Sequence, residues 1–201
     1  MPKETFLNLS TEKKEWMDLI LLDNFYNQPI SQVKVSQIVT DMQMSRGAFY
    51  KYFDDLDDAY LYIVKKYAMI IHIDIQRYIN RYKEDYFYGL QQYLIWCSQM
   101  DQSTPYWKAI YLLTTTSSQP VFKRVPMNQS GQILKDWQAV LDLNHFDIFT
   151  IDEALSFLYF SMELVMRSLS DFIINDWQTE ELIKDFQFKS KWLKNGLKKH
   201  V

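Results

Sequence analysis

The sequence predicts an all-α fold, and three observations support that prediction. The chain of 201 residues contains only four glycines and five prolines, so the turn residues that separate short strands are scarce. Along most of the chain, apolar residues recur at the three- and four-residue spacing of an amphipathic helix. Aromatic residues make up 16% of the chain, which is long enough to bury them in a substantial core. We predict about nine helices.

The first predicted helix covers about residues 10–27. Ser10 or Thr11 can accept a hydrogen bond from a free amide of its first turn and so act as the N-cap. The apolar residues that follow keep helical spacing as far as Phe25, and Pro29 ends the helix.

Two short helices are predicted next, over about residues 36–42 and 46–52. Ser45 can cap the second of them. Because about three residues join the two helices, the pair is typical of a helix-turn-helix. Phe49 and Phe53 are predicted to lie in the small core behind the second helix.

A long helix is predicted after this pair, with apolar residues from Tyr60 to Ile79 over about six turns. Four carboxylates at its start suit the positive end of the helix dipole: Asp54, Asp55, Asp57 and Asp58. Two prolines and a glycine predict a flexible loop over residues 117–131. Three further helices are predicted over about residues 87–101, 105–116 and 129–142, the second of them with Thr104 as N-cap. Two more are predicted to begin at Asp152 and at Thr179.

Composition and motif content exclude several classes of function. The four glycines are too far apart for a GxGxxG or a P-loop motif: Gly47, Gly89, Gly131 and Gly196. The single cysteine, Cys97, lies in an apolar stretch, so we predict that it is buried, and we expect neither a metal nor a cofactor. Sets such as Ser168, His145 and Asp147 lack the spacing of a nucleophile elbow, so we expect no enzymatic activity.

The chain is also predicted to be cytoplasmic. Its first residues lead into charged residues without the apolar segment of a secretory signal. The most apolar later stretch, residues 154–162, is followed by Glu163 and Arg167 and is too short for a membrane span. We therefore expect no membrane association.

The most specific motif lies in residues 33–53. Residues 45–53 read Ser-Arg-Gly-Ala-Phe-Tyr-Lys-Tyr-Phe, and Ile30, Val33, Val35 and Ile38 precede them. This stretch resembles the helix-turn-helix of the TetR family of bacterial transcriptional regulators, whose recognition helix typically reads Ser-Arg/Lys-Gly-x-Phe/Leu-Tyr-x-His/Tyr-Phe. The resemblance implies a DNA-binding domain over residues 1–54 and a helical regulatory and dimerisation domain over residues 55–201.

The chemistry of this short helix suits DNA independently of the resemblance. Gly47 and Ala48 make it slim enough to approach a major groove closely. Arg46 can read guanine or pair with phosphate, Tyr50 can donate to phosphate, and Lys51 adds positive charge. The residues predicted to contact DNA are Lys34, Ser36, Gln37, Ser45, Arg46, Gly47, Ala48, Tyr50, Lys51 and Tyr52, of which Tyr52 suits either packing or a phosphate contact.

Three positions depart from the family pattern. Lys34 stands where the family usually has a capping Thr, so Ser36 becomes an alternative cap for the second helix. Gln43 replaces the customary turn glycine, at a cost of about 1 kcal/mol if the position needs a positive φ. Leu56 replaces a common lysine beside the four acidic residues, which would repel phosphates and weaken DNA binding.

The resemblance implies that the last two long helices pair with a second subunit and that the middle helices enclose an effector. We predict an interface containing Leu158, Met162, Val165, Leu169, Phe186, Trp192 and Leu193. The alternative is that these apolar faces pack only inside the monomer. Candidate effector-binding residues are Trp96, Met100, Tyr106, Trp107, Tyr111, Trp137, Phe157, Phe160 and Met166, which at helical spacing also suit a packed core.

The function implied by the resemblance is a homodimeric repressor that binds a palindromic operator in double-stranded DNA. A small apolar or aromatic effector would move the long helix and release the DNA. The alternative is a helical small-molecule-binding protein with a weak or vestigial DNA-binding motif.

Overall fold

The computed structural model describes residues 1–115 and 132–195, with side chains described as far as residue 115 and from residue 136. Ten α-helices and one turn of 3-10 helix form this part of the chain, and no strand occurs in it. The all-α prediction is confirmed. The loop predicted over residues 117–131 lies outside the described residues.

The helices follow the order of the predicted ones, with one addition at the start. In chain order they are α1 (Glu4–Leu7), α2 (Thr11–Phe25), the 3-10 turn (Ile30–Gln32), α3 (Val35–Asp41), α4 (Arg46–Tyr52), α5 (Leu56–Arg81), α6 (Tyr86–Ser98), α7 (Pro105–Thr115), α8 (Gln132–Leu143), α9 (Ile151–Ile174) and α10 (Thr179–Asn195). The short helix α1 was not predicted, because its four residues are too few to show a periodic apolar pattern.

Side-chain caps fix where several helices begin. The predicted N-cap hydroxyl accepts a hydrogen bond from the amide three residues later at each of Ser10, Ser45 and Thr104. α9 begins at Ile151, one residue before the predicted start, because the Thr150 hydroxyl accepts from the Glu153 amide at 3.2 Å. The Glu153 carboxylate accepts from the amide of Phe149, the residue before the cap, so two backbone amides at the start of α9 are satisfied.

The described residues form two compact units. The first contains residues 1–71 and 101–115, and the second contains residues 72–100 and 132–195. In the first unit, α2 packs against α3 and α7, α3 packs against α4, and α1 packs against α4. Fully buried side chains from these helices include Leu21, Ile38 and Phe49. Burial of each stabilises the unit by about 1.5–3 kcal/mol.

The second unit is built on three helices, because α6 packs against both α9 and α10, and α9 packs against α10. Its core includes Tyr93, Leu94 and Val165, and the predicted burial of Cys97 is confirmed. α8 also packs against α9, where the Trp137 indole donates to the carbonyl of Ala154 at 2.9 Å. Among the described helices, none combines the length and the apolar composition needed to cross a membrane.

Candidate nucleic-acid interface

The turn between α3 and α4 ends α3 in a left-handed conformation at Gln43, whose φ is 47°. The Gln43 amide donates to the carbonyl of Thr40 at 3.0 Å, and the Met44 amide donates to the carbonyl of Val39 at 2.9 Å. These two bonds define a Schellman motif, in which the last carbonyls of a helix are satisfied by the residues that follow it. Gln43, which stands in place of the customary turn glycine, therefore does adopt a positive φ, so the condition for the cost of about 1 kcal/mol is met.

α4 is anchored by one side and exposed on the other. Phe49 is fully buried, and so is Phe53, which follows the helix, as predicted. Arg46 and Lys51 are exposed, and Tyr50 is 38% exposed. The Arg46 guanidinium lies 6.0 Å from the centroid of the Tyr50 ring, which is the reach of a cation–π contact. The exposed side of α4 thus presents two cations and a phenol together.

Gly47 and Ala48 leave that exposed side narrow. Gly47 is exposed, and a Cβ placed on it would meet only the Ser45 hydroxyl, at 3.9 Å. Ala48 is half-buried and donates its amide hydrogen to that same hydroxyl at 3.2 Å. No bulky side chain therefore separates Arg46 from Tyr50 on this turn.

The α3 residues predicted to contact DNA are also exposed: Lys34, Ser36 and Gln37. Ser36 does not cap α3, which corrects the alternative raised for it. The helix begins at Val35 with Lys34 as the N-cap residue, and no side chain accepts a hydrogen bond there. Ser36 therefore lies inside the first turn, where its carbonyl accepts from the Thr40 hydroxyl at 2.8 Å.

Asp41 is the one acidic residue between Val33 and Phe53. Its carboxylate accepts hydrogen bonds from the side-chain amides of Gln37, at 2.7 Å, and Asn24, at 2.9 Å. These neutral amides hold the carboxylate in place without removing its charge. The surface formed by α3 and α4 is positive because Lys34, Arg46 and Lys51 outnumber Asp41.

Tyr52 is half-buried at the end of α4. Its ring meets that of Phe6 edge to face, with 5.9 Å between the centroids. Tyr52 was predicted either to pack or to contact a phosphate, and its contact with Phe6 shows that it packs within the first unit.

The acidic residues at the start of α5 are largely engaged by neighbouring groups. Asp54 pairs with Lys3 at 2.9 Å, and this bond and charge lower the pKa of the Asp54 carboxyl. Asp55 accepts from the amide of Asp58 at 2.7 Å, and Asp58, which is buried, accepts from the amide of Asp54 at 3.2 Å. Asp58 also pairs with the Met1 ammonium. Two of the four carboxylates, Asp54 and Asp58, therefore face cations that offset part of the expected repulsion of phosphates.

Sequence reasoning missed the residues that hold the end of α4. Lys3 and Thr5 both donate hydrogen bonds to carbonyl groups of that helix. Phe6, the buried residue of α1, was the available signal, because it is a large aromatic side chain in a short segment that shows no helical period. Neither its partners nor its distance in space from α4 follows from that signal.

The nine residues predicted to bind an effector are divided between the two units. Tyr106, Trp107 and Tyr111 belong to the first unit, and the other six belong to the second. In the second, Trp137 stacks on Phe157 with 6.1 Å between centroids, and Tyr86 and Phe146 contact Phe157 at 5.5 and 5.2 Å. This cluster has the packing of a core, the alternative stated for these residues.

A shallow groove of about 270 Å³ lies on a different part of the second unit. It runs between α6 and α10 and is lined by residues that include Phe87, Gln91 and Lys194. None of the nine predicted effector residues lines it.

Five of the seven residues of the predicted dimer interface are buried within the single chain: Leu158, Met162, Val165, Leu169 and Phe186. They lie on α9 and α10, which pack against each other and against α6, so their burial suits the alternative of packing inside the monomer. Trp192 and Leu193 differ, since they are 50% and 41% exposed.

Comparison with known proteins identifies the family. A family model described as the C-terminal domain of Tetracyclin repressor-like proteins matches residues 85–197, more than half of the chain. The chain is also similar to a TetR family transcriptional regulator from Chloroflexus aurantiacus J-10-fl, with 19% identity and a TM-score of 0.44 over 96% of this chain and 91% of that one. No curated protein matches the chain. From the match to the family model, this chain belongs to the TetR family of transcriptional regulators.

Proposed function

We propose that this protein is a sequence-specific repressor that binds a palindromic operator as a homodimer and releases it when a small molecule binds. The observation that carries the proposal is the exposed side of α4. There Arg46, Tyr50 and Lys51 project from a helix whose other side is held by buried Phe49. We assign DNA binding to residues 1–54, regulation and dimerisation to residues 55–201, and no enzymatic activity.

The major groove of B-DNA admits one α-helix, and α4 suits it because Gly47 and Ala48 keep the helix narrow. In the proposed complex, Arg46 donates two hydrogen bonds to guanine O6 and N7. Its contact with the Tyr50 ring limits the directions that the guanidinium samples before binding. Tyr50 and Lys51 donate to phosphates on either side of the groove.

The remaining predicted contacts flank α4. Lys34 is exposed at the start of α3, so its ammonium can reach a phosphate. Ser45 accepts the capping bond through its oxygen, which leaves its hydroxyl hydrogen free to donate to phosphate. Ser36 and Gln37 add polar contacts from the exposed side of α3, and Tyr52 contributes through packing.

A homodimer is proposed because helix-turn-helix proteins read two half-sites about 34–36 Å apart for each helical turn between them. For the contact surface we propose the exposed apolar residues near the end of α10. Phe188 and Trp192 stack there with 6.5 Å between centroids, and Leu193 is exposed beside them. These rings would leave water when two copies associate.

The effector is proposed to be a small apolar or aromatic molecule, because aromatic rings such as Tyr86, Trp137 and Phe157 pack together in the second unit. To release DNA, it must bind the DNA-free conformation more tightly than the DNA-bound one. The repressor role follows the family description rather than a contact. Since the target would be chromosomal, we place the protein in the cytoplasm.

The experiment that tests the proposal is selection of bound duplexes from a random DNA pool at near-physiological salt, followed by sequencing. Enrichment of a two-fold symmetric site is the expected result. No enrichment by folded protein would contradict the proposal and favour the small-molecule-binding alternative.

Two variants then test the assignment of α4. Arg46→Ala and Tyr50→Phe should each weaken binding to the selected duplex without changing helicity or self-association. Lys65→Ala is the matched control, because it removes an exposed cation from α5 rather than from α3 or α4. Arg46→Ala should also reduce the preference for guanine, whereas Lys51→Ala should lower the magnitude of the log–log salt slope by about 1.8, which is about 0.9 for each of the two subunits. Unchanged affinity in both α4 variants would refute the site.

A further inference from the structure

The last turn of α4 has carbonyl groups that the helix itself cannot satisfy. The carbonyl of Phe49 accepts from the amide of Phe53 at 3.0 Å. The carbonyls of Tyr50, Lys51 and Tyr52 come after it and lie beyond the last hydrogen bond of the helix. Because α4 has only seven residues, nearly half of its backbone carbonyls need a partner from outside the helix.

Each of the three carbonyls accepts a hydrogen bond from the segment Met1–Leu7, which we call the N-terminal arm. The backbone amide of Lys3 donates to Tyr52 at 2.8 Å, and the Lys3 ammonium donates to Tyr50 at 2.9 Å. The hydroxyl of Thr5 donates to Lys51. Two residues of the arm thus satisfy the whole free end of α4.

Phe6 fixes the arm in place. Its side chain is fully buried, and its ring contacts those of Tyr52, Phe53 and Tyr62 with centroids 5.9, 5.0 and 5.1 Å apart. Burial of this ring against three others holds the arm against the end of α4.

The ammonium of Lys3 is occupied by its own neighbours. Besides the Tyr50 carbonyl, it pairs with the carboxylate of Asp54 at 2.9 Å. A cation at this place also interacts favourably with the negative, C-terminal end of the α4 dipole. The bonds of Lys3 are therefore directed at the end of the recognition helix rather than outward as a phosphate contact.

We propose that Lys3 and Thr5 are positioning residues that fix the C-terminal end of α4 and so set the angle at which Arg46, Tyr50 and Lys51 enter the DNA groove. This inference rests on the proposed DNA-binding function. Neither residue touches DNA itself: each acts through a backbone carbonyl of the recognition helix.

The test uses two pairs of variants in the full-length chain. Thr5→Val keeps the shape of the side chain but removes the hydroxyl, whereas Thr5→Ser keeps the hydroxyl. Lys3→Met removes the ammonium and leaves the backbone bond to Tyr52, whereas Lys3→Arg keeps a cationic donor. Affinity for the selected duplex is measured over a series of salt concentrations, at a temperature where circular dichroism shows every variant to be folded.

Loss of one of these bonds should weaken DNA binding about fivefold in Thr5→Val and in Lys3→Met. Thr5→Ser and Lys3→Arg should restore most of the affinity. The salt slope should stay unchanged in Lys3→Met, because Lys3 neutralises no phosphate. A slope smaller by about 1.8, about 0.9 for each subunit of the dimer, would instead identify Lys3 as a phosphate contact and overturn the inference, as would wild-type affinity in Thr5→Val.

Hydrogen exchange in the free protein separates this inference from the proposed function. The amides of Tyr52 and Phe53 should exchange faster in Thr5→Val than in Thr5→Ser, because the last turn of α4 loses a partner. Equal exchange rates would refute the positioning role whether or not DNA binds. If exchange rises but the wild-type protein selects no duplex, the proposed function fails and the inference about groove entry fails with it.

Discussion

Asn24 on α2 donates a 2.9 Å hydrogen bond to Asp41, the last residue of α3. The same amide nitrogen donates to the carbonyl of Ile20 at 2.9 Å, and Asn24 is only 8% exposed. The other oxygen of Asp41 accepts from Gln37 at 2.7 Å. A buried amide thus joins α2 to α3 and holds a residue of the proposed DNA surface.

Asn24→Ala should lower the free energy of unfolding by about 1–2 kcal/mol, because it removes a buried hydrogen bond to a charged group. Urea unfolding at fixed protein concentration measures the change. The control is Asn27→Ala, at an exposed position shortly after α2, which should change the free energy by less than about 0.5 kcal/mol. Equal effects from the two substitutions would show that the bond to Asp41 contributes nothing.

Two glycines in helices should respond to alanine in opposite directions. A Cβ at Gly89 would lie 3.1 Å from the carbonyl oxygen of Tyr78 and 3.2 Å from the Cα of Ile79. Both are backbone atoms of α5, so the helix itself would have to shift to make room. Gly89→Ala should therefore destabilise the protein by about 1–3 kcal/mol. Gly47→Ala meets open space and should stabilise α4 by up to about 1 kcal/mol. Thermal unfolding of both variants measures the two changes in stability. Stabilisation by Gly89→Ala would contradict the close approach of Gly89 to the backbone of Tyr78 and Ile79.

Much of this fold follows from local signals in the sequence. A helix begins where a hydroxyl can reach the amide three residues later, so Ser10, Ser45 and Thr104 could be recognised as N-caps without a structure. The burial of Phe49 and Phe53 followed from their place on the far side of a short helix from its polar residues.

What the sequence does not disclose is which partner covers a given face. The periodic apolar residues of α9, such as Val165, predict a buried side, but the same pattern suits a neighbouring helix or a second subunit. Likewise, the bonds from Lys3 and Thr5 join residues more than forty positions apart. Such contacts depend on tertiary packing, and no local spacing indicates them.

Gln43→Gly should stabilise the protein by about 0.5–1 kcal/mol. The residue occupies φ 47°, where a side chain is strained and glycine is not. Gln43→Ala is the control, because it removes the same side-chain atoms beyond Cβ but keeps the strain, so it should bring no comparable gain. Denaturant midpoints compare the two, and a loss of stability in Gln43→Gly would argue against the left-handed turn.

Cys97 should react slowly with thiol reagents in the folded protein. Burial raises the pKa of its thiol to about 12, and the thiolate is the reactive form. At pH 8 about one molecule in 10⁴ would carry the thiolate, against roughly a quarter for an ordinary cysteine. A disulfide reagent monitored by absorbance, with and without urea, measures both rates. A folded-state rate within tenfold of the unfolded rate would show that the thiol is accessible.

The stability of the first unit should carry a pH dependence from Asp18. Burial raises the pKa of the Asp18 carboxyl, against the opposing effects of the Lys66 ammonium and the Tyr62 hydroxyl. The folded state therefore holds this proton more tightly than the unfolded state does. The resulting contribution to stability is fully present below about pH 4, where the carboxyl of an unfolded chain is protonated. It is lost as the pH rises through the raised pKa of Asp18 in the folded state.

Asp18→Asn removes that titration. The free energy of unfolding of the wild type minus that of Asp18→Asn should therefore fall as the pH rises above about 4, while carboxylates common to both proteins cancel. Lys66→Met should extend the fall to higher pH, because it removes the ammonium that opposes the rise in pKa. Urea unfolding at half-unit steps of pH measures all three proteins at one concentration. A difference that is constant, or that grows with pH, would mean that the folded state prefers the ionised carboxylate.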